Sequence, residues 1–228
     1  MDDQYFSRKT FTFLSKLEEN NNRDWFNEHK QDYEDVVREP ALNFIADISS
    51  DLPKISPHFN AIPKKIGGSL MRVYRDVRFG KDKRPYKTNI GIQFRHEIGK
   101  DVHAPGFYVH ISPEECFVGV GIWHPDSPTL RKIRDRIIEH PNKWNTIIKN
   151  KTFKSNFERV GDTLINAPRG YPKDHPLLED LKLKDHIGIS PMKKSVVYSE
   201  QFKKEVLKSF KQGSNYIQFL CQSLNLNY

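Results

Sequence analysis

Residues 72–88 read RVYRDVRFGKDKRPYKT. Seven of the first sixteen are basic: Arg72, Arg75, Arg78, Lys81, Lys83, Arg84 and Lys87. Only Asp76 and Asp82 oppose them, so this run holds five of the eight excess positive charges of the 228-residue chain. Guanidinium and ammonium groups at this density suit the holding of an anion, a phosphate or a carboxylate. Arg72, Arg75, Arg78, Lys83 and Lys87 would supply charge, and the hydroxyls of Tyr86 and Thr88 further donors. The aspartates matter equally, because a carboxylate can fix an arginine in a bidentate pair and leave its other donors free for a ligand. Gly80 allows a sharp turn, and Pro85 fixes its own φ and extends Arg84. The spacing therefore predicts an ordered connector. An alternative reading of the same residues is a solvated salt-bridge network that only stabilises the loop.

Other chemistries leave weaker traces. A phosphate-binding P-loop is excluded, since Arg75 stands where its first glycine would be. Neither an H-E-x-x-H pattern nor a G-x-S-x-G elbow is present. A metal site from Asp101, His103 and His110 is conceivable at strand ends, but ordinary loop-end histidines are the preferred reading, and no metal or cofactor is expected. Cys116 and Cys221 have no pairing pattern and no adjacent activating group. For general acid–base work the candidates are His110, kept neutral near guanidinium groups, with Asp76 and Asp82 as competitors.

These residues need a scaffold, and the hydrophobic periods supply one. Helical spacing covers residues 6–18 (Phe13, Leu14, Leu17), Asp24 to Arg38 (Phe26, Tyr33, Val37) and a third segment with Leu42, Ile45, Ile48 and Leu52. Asn21 or Asn22 is placed to cap the second helix. Between Ser69 and Trp123 the period changes to two. SLMRVYR, NIGIQFR, FYVHIS and FVGVGIW read as four strands of an antiparallel meander. One face is aliphatic. The other carries Arg72, Tyr74, Gln93, Arg95, Tyr108, His110 and Trp123 with Gly91, Gly119 and Gly121 between them. Glycines in strands mark a close approach to the backbone, by a ligand or by a tightly packed helix. Tyr108 and Trp123 would line the organic part of a ligand. After Trp123 the pattern is helical again. The expectation is one α+β domain over 1–228: helical 1–55, a sheet of four or slightly more strands over 68–124, and helical 126–228.

Four stretches resemble a family catalogued as a domain of unknown function, DUF2461. They are RVYRDVRFGKDKRPYKTN, FLSKLEENNNRDWFNEHKQDYED, APGFYVHISPEECFVGVGIWHPDSPTLRKIR and APRGYPKDHPLLEDLKLK. The resemblance spans nearly the whole chain. It implies a single domain of this architecture, and it implies that the loop, with Arg23, Trp25, Tyr108, Trp123, Arg134 and Arg169, belongs to the family's pattern. It implies no activity. Asn166 stands where that pattern often has a basic residue.

Three functions fit. The first is a cytoplasmic binder of a small phosphate- or carboxylate-bearing molecule, or an enzyme acting on one. The second is a nucleic-acid-binding protein or nuclease, given basic residues mixed with Tyr, Phe and Trp. The third is a protein-interaction module whose loop is a structural knot. No apolar run approaches the ~20 residues of a membrane span, and the N-terminus has no signal-peptide core, so a membrane partner is not expected.

Overall fold

The computed structural model describes residues 4–78, 81–99 and 104–228. Helix α1 (Arg8–Glu19) starts in a capping box in which Ser7 and Thr10 exchange side-chain and backbone bonds, and it buries Thr10, Phe13, Leu14 and Leu17. Asn22 caps α2 (Arg23–Glu28) by accepting from the Trp25 amide at 3.0 Å. The single helix expected from Asp24 to Arg38 is instead α2, α3 (Lys30–Tyr33) and a π-helical turn, Glu34–Arg38, that runs into α4 (Glu39–Ile48). Pro40 explains the π turn. Proline has no N–H, so in a regular helix the Val36 carbonyl would lose its partner. Here the Thr10 hydroxyl donates to Val36 O at 2.8 Å, and the wider turn lets the Glu39 amide reach Glu34 O.

The sheet has six strands, all pairs antiparallel, in the order β1-β2-β3-β4-β6-β5. They are β1 (Phe59–Asn60), β2 (Ile90–His96), β3 (Gly106–Ile111), β4 (Cys116–Ile122), β5 (Glu158–Val160) and β6 (His186–Pro191). The alternation read from the sequence holds across the centre. Ile90, Ile92 and Phe94, then Phe107, Val109 and Ile111, then Val118, Val120 and Ile122 are each at most 2 % exposed. The last helix, α10 (Phe202–Ser223), covers this face. Phe210 packs 4.6 Å from Phe107 and 5.5 Å from Phe94. Gly213 is required there, since a Cβ would sit 2.8 Å from Val120 Cγ1.

Two expectations change. SLMRVYR is not a strand; it makes only isolated bridges, Leu70 to Ile92 and Tyr74 to Tyr86. Its buried residues are Ser69, Leu70 and Val73, adjacent and then three apart, so period two never applied. Second, the stretch read as helical after 126 also supplies β5 and β6. Its helices are α5 (Ser127–Glu139), α6 (Pro141–Ile148), α7 (Lys151–Asn156), α8 (Leu178–Leu181), α9 (Lys194–Val197) and α10. β6 turns His186, Gly188 and Ser190 inward. Phe153 and Phe157 fill the space over Gly188, so the inward face of the strand carries no apolar signature of its own.

Candidate anion site

The outer edge of β2 positions the basic run. Phe59 and Asn60 pair with His96 and Arg95 at one end of that edge. At the other end the Gln93 amide donates to Ser69 O and the Met71 amide to Gly91 O. The chain then leaves the sheet as an arm. The Lys87 amide donates to Val73 O at 2.7 Å and the Arg75 amide to Pro85 O at 2.9 Å, which joins the two limbs. Tyr86 anchors it. Its ring stacks on Phe26 at 4.0 Å and 19°, and the residue is 3 % exposed. Asn21, which does not cap α2, grips the arm: its Nδ2 donates to Tyr86 O and its Oδ1 accepts the Tyr86 amide, both at 3.0 Å. The Tyr86 hydroxyl was expected to serve a ligand; the residue as a whole packs into the buried core.

The aspartates tether arginines, as the spacing suggested. Asp76 takes Nε and Nη2 of Arg78 at 2.9 and 2.7 Å, plus its amide. Asp82 takes Nε and Nη2 of Arg84 and Nη1 of Arg75, the last at 2.6 Å. Hydrogen bonds from Arg78 draw the Asp76 carboxyl down to about 2, and those from Arg84, with Arg75 behind them, hold Asp82 lower still. Carboxylates this acidic are poor proton acceptors at neutral pH, so their geometry suits tethering more than general-base work. Lys83 donates to Val77 O at 2.9 Å. Phe79 and Gly80 lie outside the described residues.

Arg72 and Lys87 differ from the tethered group. Among the described residues no carboxylate lies within ion-pair distance of either, although Asp76 feels Arg72 at longer range. Lys87 is half-buried, and burial, then Arg72 and Arg75, pull its ammonium below the usual lysine range.

The glycine floor of the sheet is filled from within. A Cβ on Gly91 would lie 2.7 Å from the Tyr108 hydroxyl and 2.9 Å from Met71 Sδ, and one on Gly119 would meet Tyr108 Cβ at 3.4 Å. The glycines therefore seat Tyr108 and Met71, and neither a ligand nor a covering helix takes that space. This packing brings the Tyr108 hydroxyl to the root of the arm, since Arg72 follows Met71. Tyr108 shares a 3.1 Å hydrogen bond with His110 Nδ1, and His110 stacks on Phe117 at 4.6 Å and 2°. Burial raises Tyr108 to about 12 and lowers His110 to about 4, so both are neutral at pH 7. The cause at His110 is desolvation, where guanidinium neighbours were expected.

The family described as "Conserved hypothetical protein (DUF2461)" matches residues 9–219. The chain belongs to this family. No curated protein matches it, and no solved structure does. Trp123, which the resemblance assigned to the family's pattern, stands apart from the arm. Trp123 is 61 % exposed against His124, at the far end of β4 from Phe117, the residue paired with His110. Six residues of strand separate them, roughly 20 Å at ~3.3 Å each. Trp123 therefore stands well away from His110. Asp101 and His103 lie outside the described residues, and no group of three His, Cys, Asp or Glu side chains among the described residues is placed to hold a metal. No helix of the described residues is long and apolar enough to cross a membrane.

The resemblance named Arg134, but it was not among the expected site residues. It sits on the buried stripe of α5 with Leu130, Ile133 and Ile137, and it is 8 % exposed. A cation on an apolar stripe was the available signal.

Proposed function

We propose that this chain recognises a small anion, the phosphate or carboxylate of a compact organic molecule, where Arg72, Arg75 and Lys87 meet. The observation that carries the reading is the charge left over on the arm: Lys87 is half-buried beside two arginines, with no carboxylate in ion-pair reach among the described residues. Desolvated like charges are costly together, and an arriving anion removes that cost. Asp82 holds Arg75 through Nη1 alone, which leaves its other donors for the ligand. The neutral Tyr108–His110 pair at the root of the arm offers a hydroxyl and a ring edge to the organic part. The proposal is recognition of an anionic metabolite; in an enzyme, His110 would be the acid–base partner at this site.

Calorimetric titration with phenyl phosphate tests it. Arg72→Gln with Lys87→Gln is expected to weaken binding at this site at least tenfold. Lys87→Met alone is expected to stabilise the unliganded protein, because it removes a repulsive half-buried charge. Unchanged affinity in the double variant sinks the proposal and leaves the arm as a salt-bridge knot.

A second reading, nucleic-acid binding, is favoured by Tyr74, which is 54 % exposed between Arg72 and Arg75 and could stack on a base. It requires an affinity for single-stranded oligonucleotides that falls steeply with salt, and a flat dependence rejects it.

A further inference from the structure

A cavity of about 500 Å³ lies between the start of α5 and the turn at 168–171, lined by Ser127, Arg131, Arg134, Asp135, Arg169 and Tyr171 among others. None of the arm residues lines it. We propose that this cavity is a second binding site, specific for a small phosphate monoester in its dianionic form, and independent of the arm.

The argument starts from Arg134. A guanidinium keeps its charge in any protein environment, so burying one demands compensation. Arg134 donates Nε to Leu181 O at 2.6 Å and Nη2 to Leu183 O at 3.0 Å. Those carbonyls fix the plane of the group without neutralising it. Among the described residues Arg134 has no carboxylate partner and Nη1 has no protein acceptor, which leaves that edge to the cavity. The one carboxylate in the lining, Asp135, is turned to other groups: Oδ1 accepts the Tyr171 hydroxyl at 2.7 Å, and Oδ2 lies 3.9 Å from Arg131 Nε.

Charge sets the ligand class. Three arginines against one aspartate leave the lining at +2. A phosphate monoester carries about −1.5 to −2 at neutral pH and presents three acceptor oxygens, whereas a carboxylate carries −1. Forked guanidinium donors match the phosphate face. The Tyr171 phenol stays protonated, raised to about 12 by burial and by Asp135, and its one proton goes to Asp135, so it adds an aromatic wall without adding negative charge. Gly170, at φ +90° with open space on its Cβ side, makes the turn that carries Arg169 to the rim. The start of α5 is not the carrier, because Asp126 already takes the Thr129 amide at 2.8 Å. The volume suits a ligand of sugar-phosphate or nucleotide size.

Calorimetry with phenyl phosphate and with benzoate, at pH 7.5 and pH 5, tests this. Arg131 and Arg169 are exposed, so Arg131→Gln with Arg169→Gln leaves the fold in place even where Arg134→Met does not. The wild-type protein is expected to bind phenyl phosphate saturably at this site, at least tenfold more tightly than benzoate and more weakly at pH 5, where the monoester becomes a monoanion. The Arg131/Arg169 variant is expected to lose at least tenfold, and Arg72→Gln with Lys87→Gln to keep the affinity of this site. The proposal is overturned if the Arg131/Arg169 variant binds within twofold of wild type, if all binding is lost in the arm variant, or if benzoate binds equally well.

Discussion

Asn21→Ala should loosen the arm. The side chain makes two 3.0 Å hydrogen bonds to the backbone of Tyr86, across 65 residues of sequence. Tyr86 is almost fully buried under Phe26, so water has little access to the stranded amide and carbonyl. A net hydrogen bond is worth ~0.5–1.5 kcal/mol, and a buried group left unsatisfied costs ~1–3 kcal/mol. Two such groups, partly rehydrated, give a loss of roughly 2 kcal/mol. At about 2–4 °C per kcal/mol for a chain of this size, Tm should fall by about 4–8 °C. Urea unfolding followed by tryptophan fluorescence measures the first figure and a thermal scan the second. An unchanged m-value assigns the loss to the native state. Hydrogen exchange at the Lys87 and Arg75 amides, which close the arm, should accelerate ahead of exchange in the central strands. A loss below about 0.5 kcal/mol would refute the reasoning, because an effect that small fits a solvated pair and not a buried clamp. Exchange that accelerates equally everywhere would refute the claim that the arm opens by itself.

Acid should weaken the fold between pH 7 and pH 5. Burial, with Arg134 and Arg159 behind it, draws His186 down to about 3, and burial alone takes His110 to about 4. Unfolded histidine titrates near 6.5, so in this window the unfolded chain binds protons that the folded chain refuses, and stability falls as pH falls. The loss is roughly 2 kcal/mol from His186 and about half that from the less buried His110; Asp76 and Asp82 titrate below the window. Equal urea midpoints at the two pH values contradict it. Gly121→Ala should cost more than about 4 kcal/mol, since φ is +136° and a Cβ would collide with the His186 carbonyl, whereas Gly170→Ala, at φ +90° in open space, should cost only ~1–2 kcal/mol. Chemical denaturation of the pair checks the order, and the reverse ranking counts against the placement of β6. Thr10→Val should cost ~1–3 kcal/mol by orphaning the Val36 carbonyl, with Thr10→Ser restoring most of it; a silent Thr10→Val removes the explanation of the π turn.

Contacts within a few residues were legible in advance. The stripe of Phe13, Leu14 and Leu17, the alternation of β2 to β4, and the pairing of Asp76 with Arg78 are each fixed by spacing along the chain, because one turn or one pleat sets which side chains are neighbours. Charge density in 72–88 was likewise plain. Tertiary structure decided the rest. Whether a cation without a local carboxylate is neutralised depends on what arrives from elsewhere: among the described residues no carboxylate reaches Lys87, and Arg134 faces carbonyls 47 and 49 residues away. Whether a glycine row is a pocket depends on what fills it, and here Tyr108 and Met71 do. β6 escaped notice because its inward positions are His186, Gly188 and Ser190, and the volume they leave is taken up by rings from α7 and the residue after it. Periodicity records the direction of a side chain; only packing records what it meets.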